Sequence, residues 1–388
     1  MEDNAAPPAL DIIAGWIEDA RRAPVRPWRD YAFEAIPFVV YDDHATIYVN
    51  HPNPPDERPA TLMAATAVEI GGVQTATLPA FMCLTPADAL PIAYHEGFHV
   101  YQAARFASRP SDMFTAMAHY PELDAAYRAL CRVEVNVLND VARTPAGKLA
   151  VIAEIIRQRR AVLERHPSLI PYESYLERNE GTASYVKQKA RLALYDILPP
   201  PVEFDYGWSR FYRAGSALCW LLDEAVPDWK SRVEAGESPE DIALERASGA
   251  VDLDAHGLAA ALADEETTIT EIRAGIDALV QPLLAPDAVT IYYPAEGPVY
   301  RAFSPATLQS LGDGRILHRT MFKLLRPGKG HVGADNAAVI DDIAQKRVLL
   351  PACQAEFDGD TLRIQGGGID AALTGVAKLQ DNVYRIES

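Results

Sequence analysis

His95 and His99 stand four residues apart with Glu96 beside the first of them, and the pentapeptide His95-Glu96-Gly97-Phe98-His99 dictates its own local structure. Two imidazoles at positions i and i+4 reach one metal ion only from one face of an α-helix. Glu96 then lies one step round, beside the ion, where a general base takes a proton from water whose pKa zinc lowers to about 7. The flanks supply the helix. Thr85-Pro86 reads as a hydroxyl N-cap followed by proline at the first helical position, and Pro91 falls in the opening turns, where a missing N–H is least costly. Gly97 costs about 1 kcal/mol relative to alanine mid-helix, which implies that some other group, substrate included, approaches the backbone there. With 9 histidines in 388 residues, two surface histidines beside an incidental glutamate are the weaker reading.

A third ligand must come from elsewhere. Glycine three residues after His99 and histidine six after it mark a metzincin; this chain has Gln102 and Arg105 there, which excludes that subclass. A gluzincin takes a glutamate from a later helix, and Glu180 is the best candidate, with the small residues Gly181 and Ala183 after it permitting close packing against the first helix. Glu177 and Glu173 lie about one and two turns earlier, so periodicity alone nominates any of the three.

Asn179-Glu180-Gly181-Thr182-Ala183 resembles the N-E-G-F-A segment of aminopeptidase N and its relatives, gluzincin metallopeptidases with a thermolysin-like catalytic domain. The resemblance implies that Glu180 is the third zinc ligand. Phe211-Tyr212-Arg213-Ala214-Gly215 is similar to the family's Y-E-K-G segment, which implies that Tyr212 stabilises the oxyanion, a contribution of roughly 3 kcal/mol for a well-aimed donor. Tyr206 is the nearby rival, and an ordinary core tyrosine the plain alternative. The family also binds the substrate α-amine through the glutamate of a G-A-M-E-N strand. Gly71-Gly72-Val73-Gln74-Thr75 lies at nearly the right distance before His95, making Gly71, Gly72 and Gln74 candidate substrate-binding residues. Gln74, however, replaces the carboxylate, and a neutral amide lacks the charge assistance that favours an ammonium group. A strand ending in a Gly-Gly turn fits the same residues equally well.

The resemblance implies an insertion, because 80 residues separate His99 from Glu180. They read as two long helices, Pro121 to Ala142 and, behind the N-cap Thr144, Pro145 to about Glu164, a hairpin of about 121–165 able to roof the cleft. Upstream, Leu10 to Arg22 reads as an amphipathic helix with Ile12, Ile13, Trp16 and Ile17 on its apolar side. Phe38–Tyr41 and Thr46–Val49 flank a hairpin turn, and Ala67–Glu69 and Thr75–Met82 extend the sheet. In thermolysin-like folds an edge strand just before the zinc helix binds extended substrate by backbone pairing.

After Tyr212 the chain reads as helical to about Leu284, including Pro239–Ala247 and Ile269–Leu283, and from Pro286 as mainly β: Val289–Tyr293, Val299–Phe303, Arg347–Leu350, Thr361–Ile364 and Val383–Ile386. Pro327-Gly328-Lys329-Gly330-His331 lacks the spacing of a phosphate loop, and Gly366-Gly367-Gly368 reads as a turn. The expected fold is therefore α+β: a thermolysin-like domain over 1–285 (sheet part 31–83, helical part 84–285) and a small C-terminal β-rich domain over 286–388. No catalytic constellation stands out in the latter.

Composition narrows the partners. With 49% apolar and 23% charged residues the chain is an ordinary folded protein, and a net charge of −18 disfavours nucleic acid and anionic membranes. No run approaches 18 apolar residues, and Met1-Glu2-Asp3-Asn4 lacks an export signal, so a cytoplasmic location is expected. Cys83, Cys131, Cys219 and Cys353 show no C-x-x-C spacing and read as reduced thiols. The expectation is a zinc metallopeptidase with His95, His99 and Glu180 as ligands, Glu96 as base, Tyr212 as oxyanion donor, and a peptide or small amide as substrate. A zinc hydrolase of non-peptide amides and a non-catalytic binding protein are the alternatives.

Overall fold

The computed structural model describes residues 6–106, 113–246 and 251–387; the Met1–Asn4 start and the expected helix end at Ala247 lie outside the described residues. Helix α1 (Leu10–Arg22) buries Ile13 and Ile17 completely. Ile12, expected on the same face, is 49% exposed, because it falls beyond the edge of the apolar stripe. A mixed sheet follows, built from β1 (Phe38–Tyr41), β2 (Thr46–Val49), β3 (Thr66–Ile70) and β4 (Val73–Pro79) in the order β2-β1-β4-β3. β1 is antiparallel to β2 and parallel to β4, and β3 is antiparallel to β4. Asp42 closes the first hairpin by accepting from the amides of His44 and Ala45 at 2.7 and 2.8 Å. Gly71 and Gly72 make the β3–β4 turn with φ of 56° and 79°, a conformation that suits glycine. β4 begins at Val73 rather than Thr75 and stops at Pro79, with Ala80–Met82 a 3₁₀ turn. It is an interior strand, and the sheet's edges are β2 and β3.

Helix α2 (Pro86–Arg105) starts at a capping box: Thr85 Oγ1 accepts from the Asp88 amide, and the Asp88 carboxylate accepts from the Thr85 amide at 3.1 Å. Tyr94 and Phe98 are fully buried, Tyr94 stacked on Phe33 and Phe98 packed against Tyr31 and Trp28. Gly97 belongs to this contact. A Cβ there would lie 2.5 Å from the Tyr31 hydroxyl and 3.2 Å from Phe38, so the close approach is made by the protein's own core and not by substrate.

The helical part continues with α3 (Met113–Ala118), α4 (Ala125–Asn139), α5 (Pro145–Leu163), α6 (Leu169–Leu176) and α7 (Thr182–Tyr195). The expected hairpin is present as α4 and α5, shorter at both ends of its first helix. It does not roof the cleft: α4 packs on the helix Leu258–Val280, and α5 on Ser216–Ala225 and Pro239–Leu244. The reason lies in its inner faces, which place Val133, Ile152, Ile155 and Ile156 in the main core and Glu134 and Arg159 in a buried ion cluster. The helix expected from Ile269 begins at Leu258, and the turn Gln281–Leu284 is 3₁₀.

The C-terminal part is all β. One six-stranded sheet runs in the order 355–358, 361–366, 369–373, 330–335, 321–326, 300–303, and a seven-stranded sheet runs 376–380, 383–386, 289–292, 347–350, 339–342, 315–318, 308–310. Their inner faces share one core, including Leu324, Val332 and Ile364 from the first and Val289, Val348 and Tyr384 from the second. All five expected strands are there. The others range from the three residues Leu308–Ser310 to the six of Met321–Arg326 and Gly330–Asp335, and most carry charged, polar or glycine residues, which weakens their signal. Two apolar clusters join this sandwich to the helices, one through Leu308 and Ile316, the other between Ile276 and Val280 and Leu317, Ile340 and Leu349. Glu122 reinforces the join by accepting from the Ser310 amide at 2.9 Å. Among the described residues no helix is long and apolar enough to cross a membrane.

Alanine at position 97 gains helix propensity but collides with a rigid tyrosine. We expect Gly97→Ala to destabilise the fold by about 1–3 kcal/mol in urea unfolding; a gain of up to about 1 kcal/mol, as propensity alone dictates, would refute the packing assigned to Tyr31.

Candidate metal centre

α2 brings His95, Glu96 and His99 to one end of a cleft of about 790 Å³, and a chain segment eighty residues later supplies Glu180. Glu180 does not sit on regular α-helix. Glu177–Gly181 is a π-helical turn between α6 and α7, and Phe211–Gly215 is a second one facing it. Such turns occur often at functional sites. The turns meet at Gly181 and Gly215: a Cβ on Gly181 would rest in ordinary contact with the Gly215 backbone at 3.5 Å, and the tighter approach is at Gly215, where a Cβ would lie 3.2 Å from Glu177 Oε2. Gly181 therefore faces the neighbouring turn, while α7, which begins at the next residue and buries Ala183 completely, packs closely on α2 as expected.

The three candidate ligand atoms form a nearly equilateral triangle. His95 Nε2 and His99 Nε2 are 3.1 Å apart, and Glu180 Oε2 lies 3.5 and 3.4 Å from them. Tetrahedral zinc with bonds of 2.0–2.2 Å requires edges of about 3.3–3.6 Å. Hydrogen bonding explains only one edge, where one ring nitrogen can donate to the other at 3.1 Å. Glu180 Oε2 is buried without a hydrogen-bond partner, a loss of roughly 1–3 kcal/mol or more for a charged atom, and two imidazole nitrogens face each other beside it. An ion at the centre satisfies all three, so the donor set fits zinc.

The electrostatics follow from this crowding. Burial raises Glu96 to about 7, a shift reinforced by Glu180 and opposed by His99. Burial pushes His95 down to about 4, whereas Glu180 and Glu96 outweigh burial and lift His99 to about 9. The two histidines hold Glu180 well below the usual carboxylate range despite its burial. Glu96 forms no hydrogen bond with any described residue, so its carboxylate is uncommitted.

Glu173 and Glu177, the other periodic candidates, are turned away into the ion cluster. Arg210 Nη1 donates to Glu177 Oε1 at 3.3 Å, and the Tyr120 and Tyr127 hydroxyls both donate to Glu173 Oε1 at 2.5 Å. Tyr212 lines the cleft, its ring 5.9 Å from that of His95, and its hydroxyl accepts from Trp208 Nε1 at 3.1 Å. Burial and the carboxylates of Glu180 and Glu96 raise its pKa, keeping it a neutral donor. Tyr206 lies under the Arg128 guanidinium, 3.9 Å from ring centroid to Cζ, and does not line the cleft. Gln74 does line it, beside its cross-strand partner Glu69; Gly71 and Gly72 stay at the hairpin tip.

Two contributors escaped the sequence reading. Gln102 Oε1 pairs with His99 Nδ1 at 2.7 Å, and its amide nitrogen donates to the Arg178 and Asn179 carbonyls and Thr182 Oγ1 at 3.1, 2.9 and 2.8 Å. One side chain thus fixes a histidine's orientation and clamps the turn carrying Glu180. Its position three residues after a ligand, on the same helix face, was the available signal. The second contributor is the β sandwich, whose residues Val299–Phe303 form a wall of the cleft. No local pattern announced that long-range contact.

No family model, curated protein or solved structure matches this chain. Replacing Gln102 by leucine should weaken zinc binding by about 10–100-fold in a chelator competition titration with the fold intact; unchanged affinity would deny it this orienting role.

Proposed function

We propose that the protein is a zinc-dependent metallopeptidase of gluzincin type, its first 285 residues forming a thermolysin-like catalytic domain akin to that of aminopeptidase N. The observation that carries this reading is the convergence of His95 Nε2, His99 Nε2 and Glu180 Oε2 on one point, with an uncommitted carboxylate at Glu96 beside it. Zinc bound there supplies Lewis acidity and brings the pKa of water near 7.

The chain's own residues account for the rest. Glu96 removes a proton from water as the water oxygen bonds to the substrate carbonyl carbon. It then delivers that proton to the amine nitrogen as the C–N bond breaks, leaving a carboxylic acid and an amine. Tyr212, neutral and oriented by Trp208, donates a hydrogen bond to the developing oxyanion. Peptide is favoured over a small amide because the open edge of β3, with Thr66–Glu69 lining the cleft, offers unpaired backbone groups to an extended chain. The absence of a carboxylate at Gln74 gives no support to a strict aminopeptidase.

Chelator-sensitive cleavage of free and amino-blocked peptides tests the reading, and loss of both activities in zinc-loaded protein would remove it. Glu96→Gln should abolish turnover while retaining zinc, and Tyr212→Phe should lower kcat by about 10²–10³. The acid limb of kcat/KM should follow the same residue. Glu96 acts only when ionised, its pKa without the cation is about 7, and an added positive charge lowers it. Activity therefore falls as pH drops below 7, and a limb centred above pH 8 would contradict the assignment.

A further inference from the structure

Among the described residues lining the cleft, Arg301 is the only lysine or arginine, set against the acids Glu69, Glu96 and Glu180. It comes from the strand Tyr300–Phe303 of the C-terminal sandwich, which otherwise supplies no charge to this wall. The guanidinium is held on several sides. Its Nε donates to Asp341 Oδ2 at 2.7 Å and its Nη2 to the Tyr293 hydroxyl at 2.8 Å, both partners standing in or beside strands of the opposite sheet. The Phe114 and Tyr293 rings lie 4.7 and 5.1 Å from its central carbon. Its side chain is 9% exposed, and the residue opens on the cleft.

A guanidinium carries five N–H donors, and Asp341 and Tyr293 occupy two of them. Nη1 donates to no described residue. Held in this way, the fork gives up little side-chain freedom on meeting a second carboxylate. A structural tie between the sheets needs only the two bonds already made; it does not need to reach the catalytic cleft. The location matters because a chain of net charge −18 repels anionic ligands at long range, whereas a contact pair inside a Debye length of about 8 Å overrides that field.

We propose that Arg301 anchors a carboxylate of the bound peptide, so that the C-terminal sandwich selects substrates bearing a carboxylate within the cleft's span of the scissile bond. This rests on the peptidase reading above. The shared chemistry is a carboxylate, and it has two sources: a free C-terminus, which restricts cleavage to near the peptide's end, or an internal Asp or Glu side chain.

Calorimetric binding to zinc-loaded Glu96→Gln protein separates these, using matched peptides ending in a free acid, in an amide, or in an amide with one internal aspartate, each extended residue by residue. The acid, or the aspartate-bearing amide, should bind at least about 10-fold tighter than the plain amide at one preferred length. Adding Arg301→Lys, which keeps the charge but loses the fork, should shrink that ratio. The charge-free pair Arg301→Met with Asp341→Asn should bring it to about one, with thermal melts reporting the fold. Equal binding of all three peptides would overturn the proposal even where a variant fails to fold, and a ratio that survives both variants would overturn it too. Turnover of the same peptides by the unsubstituted protein reports separately on the peptidase reading, since carboxylate preference without cleavage removes that reading alone.

Discussion

A carboxylate oxygen at Glu180, desolvated and without a hydrogen-bond donor, faces two imidazole nitrogens that also face each other. Without an ion, only a proton on the His99 imidazole offsets that carboxylate, whereas a metal cation satisfies all three atoms at once. The chain commits two distant segments to hold these atoms there. α2 contributes rigid helical spacing, the capping box at Thr85 fixes where that helix begins, and Gly97 lets Tyr31 and Phe38 press against its buried side. The triangle is thus built from the core outwards.

Its third corner depends on less regular structure. Two π-helical turns meet at Gly181 and Gly215, so that Glu180 on one and Tyr212 on the other share a cleft. Behind them, Arg210, two residues before Tyr212, is bonded to Glu177, three residues before Glu180. Arg159 and Arg210 also grip Glu134 and Glu240, which brings α4, α5 and the helix starting at Pro239 into one buried network. Breaking one partner of such a network costs roughly 3–5 kcal/mol, so it favours a single arrangement of the two turns. Gln102 performs the same service from the α2 side.

Much of this was legible in the sequence, and for identifiable reasons. The two histidines and Glu96 carry information at short range, as do Thr85-Pro86, the β1–β2 hairpin and the Gly-Gly turn, since each is a local conformational demand. Glu180 required more: one-turn periodicity left Glu173 and Glu177 equally eligible, the resemblance of the segment around Glu180 nominated it, and in the structure arginines from α5 and at position 210 occupy the other two. The destination of the α4–α5 hairpin was misjudged because its apolar positions said that it packs without saying on what. The strand order that leaves β3 at an edge and the docking of the sandwich against the cleft are likewise long-range outcomes, invisible in any local window. Ile12 shows the smaller version of this limit, an apolar residue at the margin of a stripe whose width is set by the neighbour it meets.

The sandwich changes how the cleft should be regarded. The all-β C-terminal region closes one side of the centre with Val299–Phe303, and two apolar clusters and Glu122 hold it in place. Everything nonetheless turns on whether an ion occupies the triangle. Anomalous diffraction at the zinc edge from crystals of zinc-loaded protein tests this most directly. The account predicts one peak about 2.0–2.2 Å from His95 Nε2, His99 Nε2 and Glu180 Oε2, with Glu96 outside bonding distance. A site without a peak, or a peak that takes Glu96 as a ligand in place of Glu180, would contradict it.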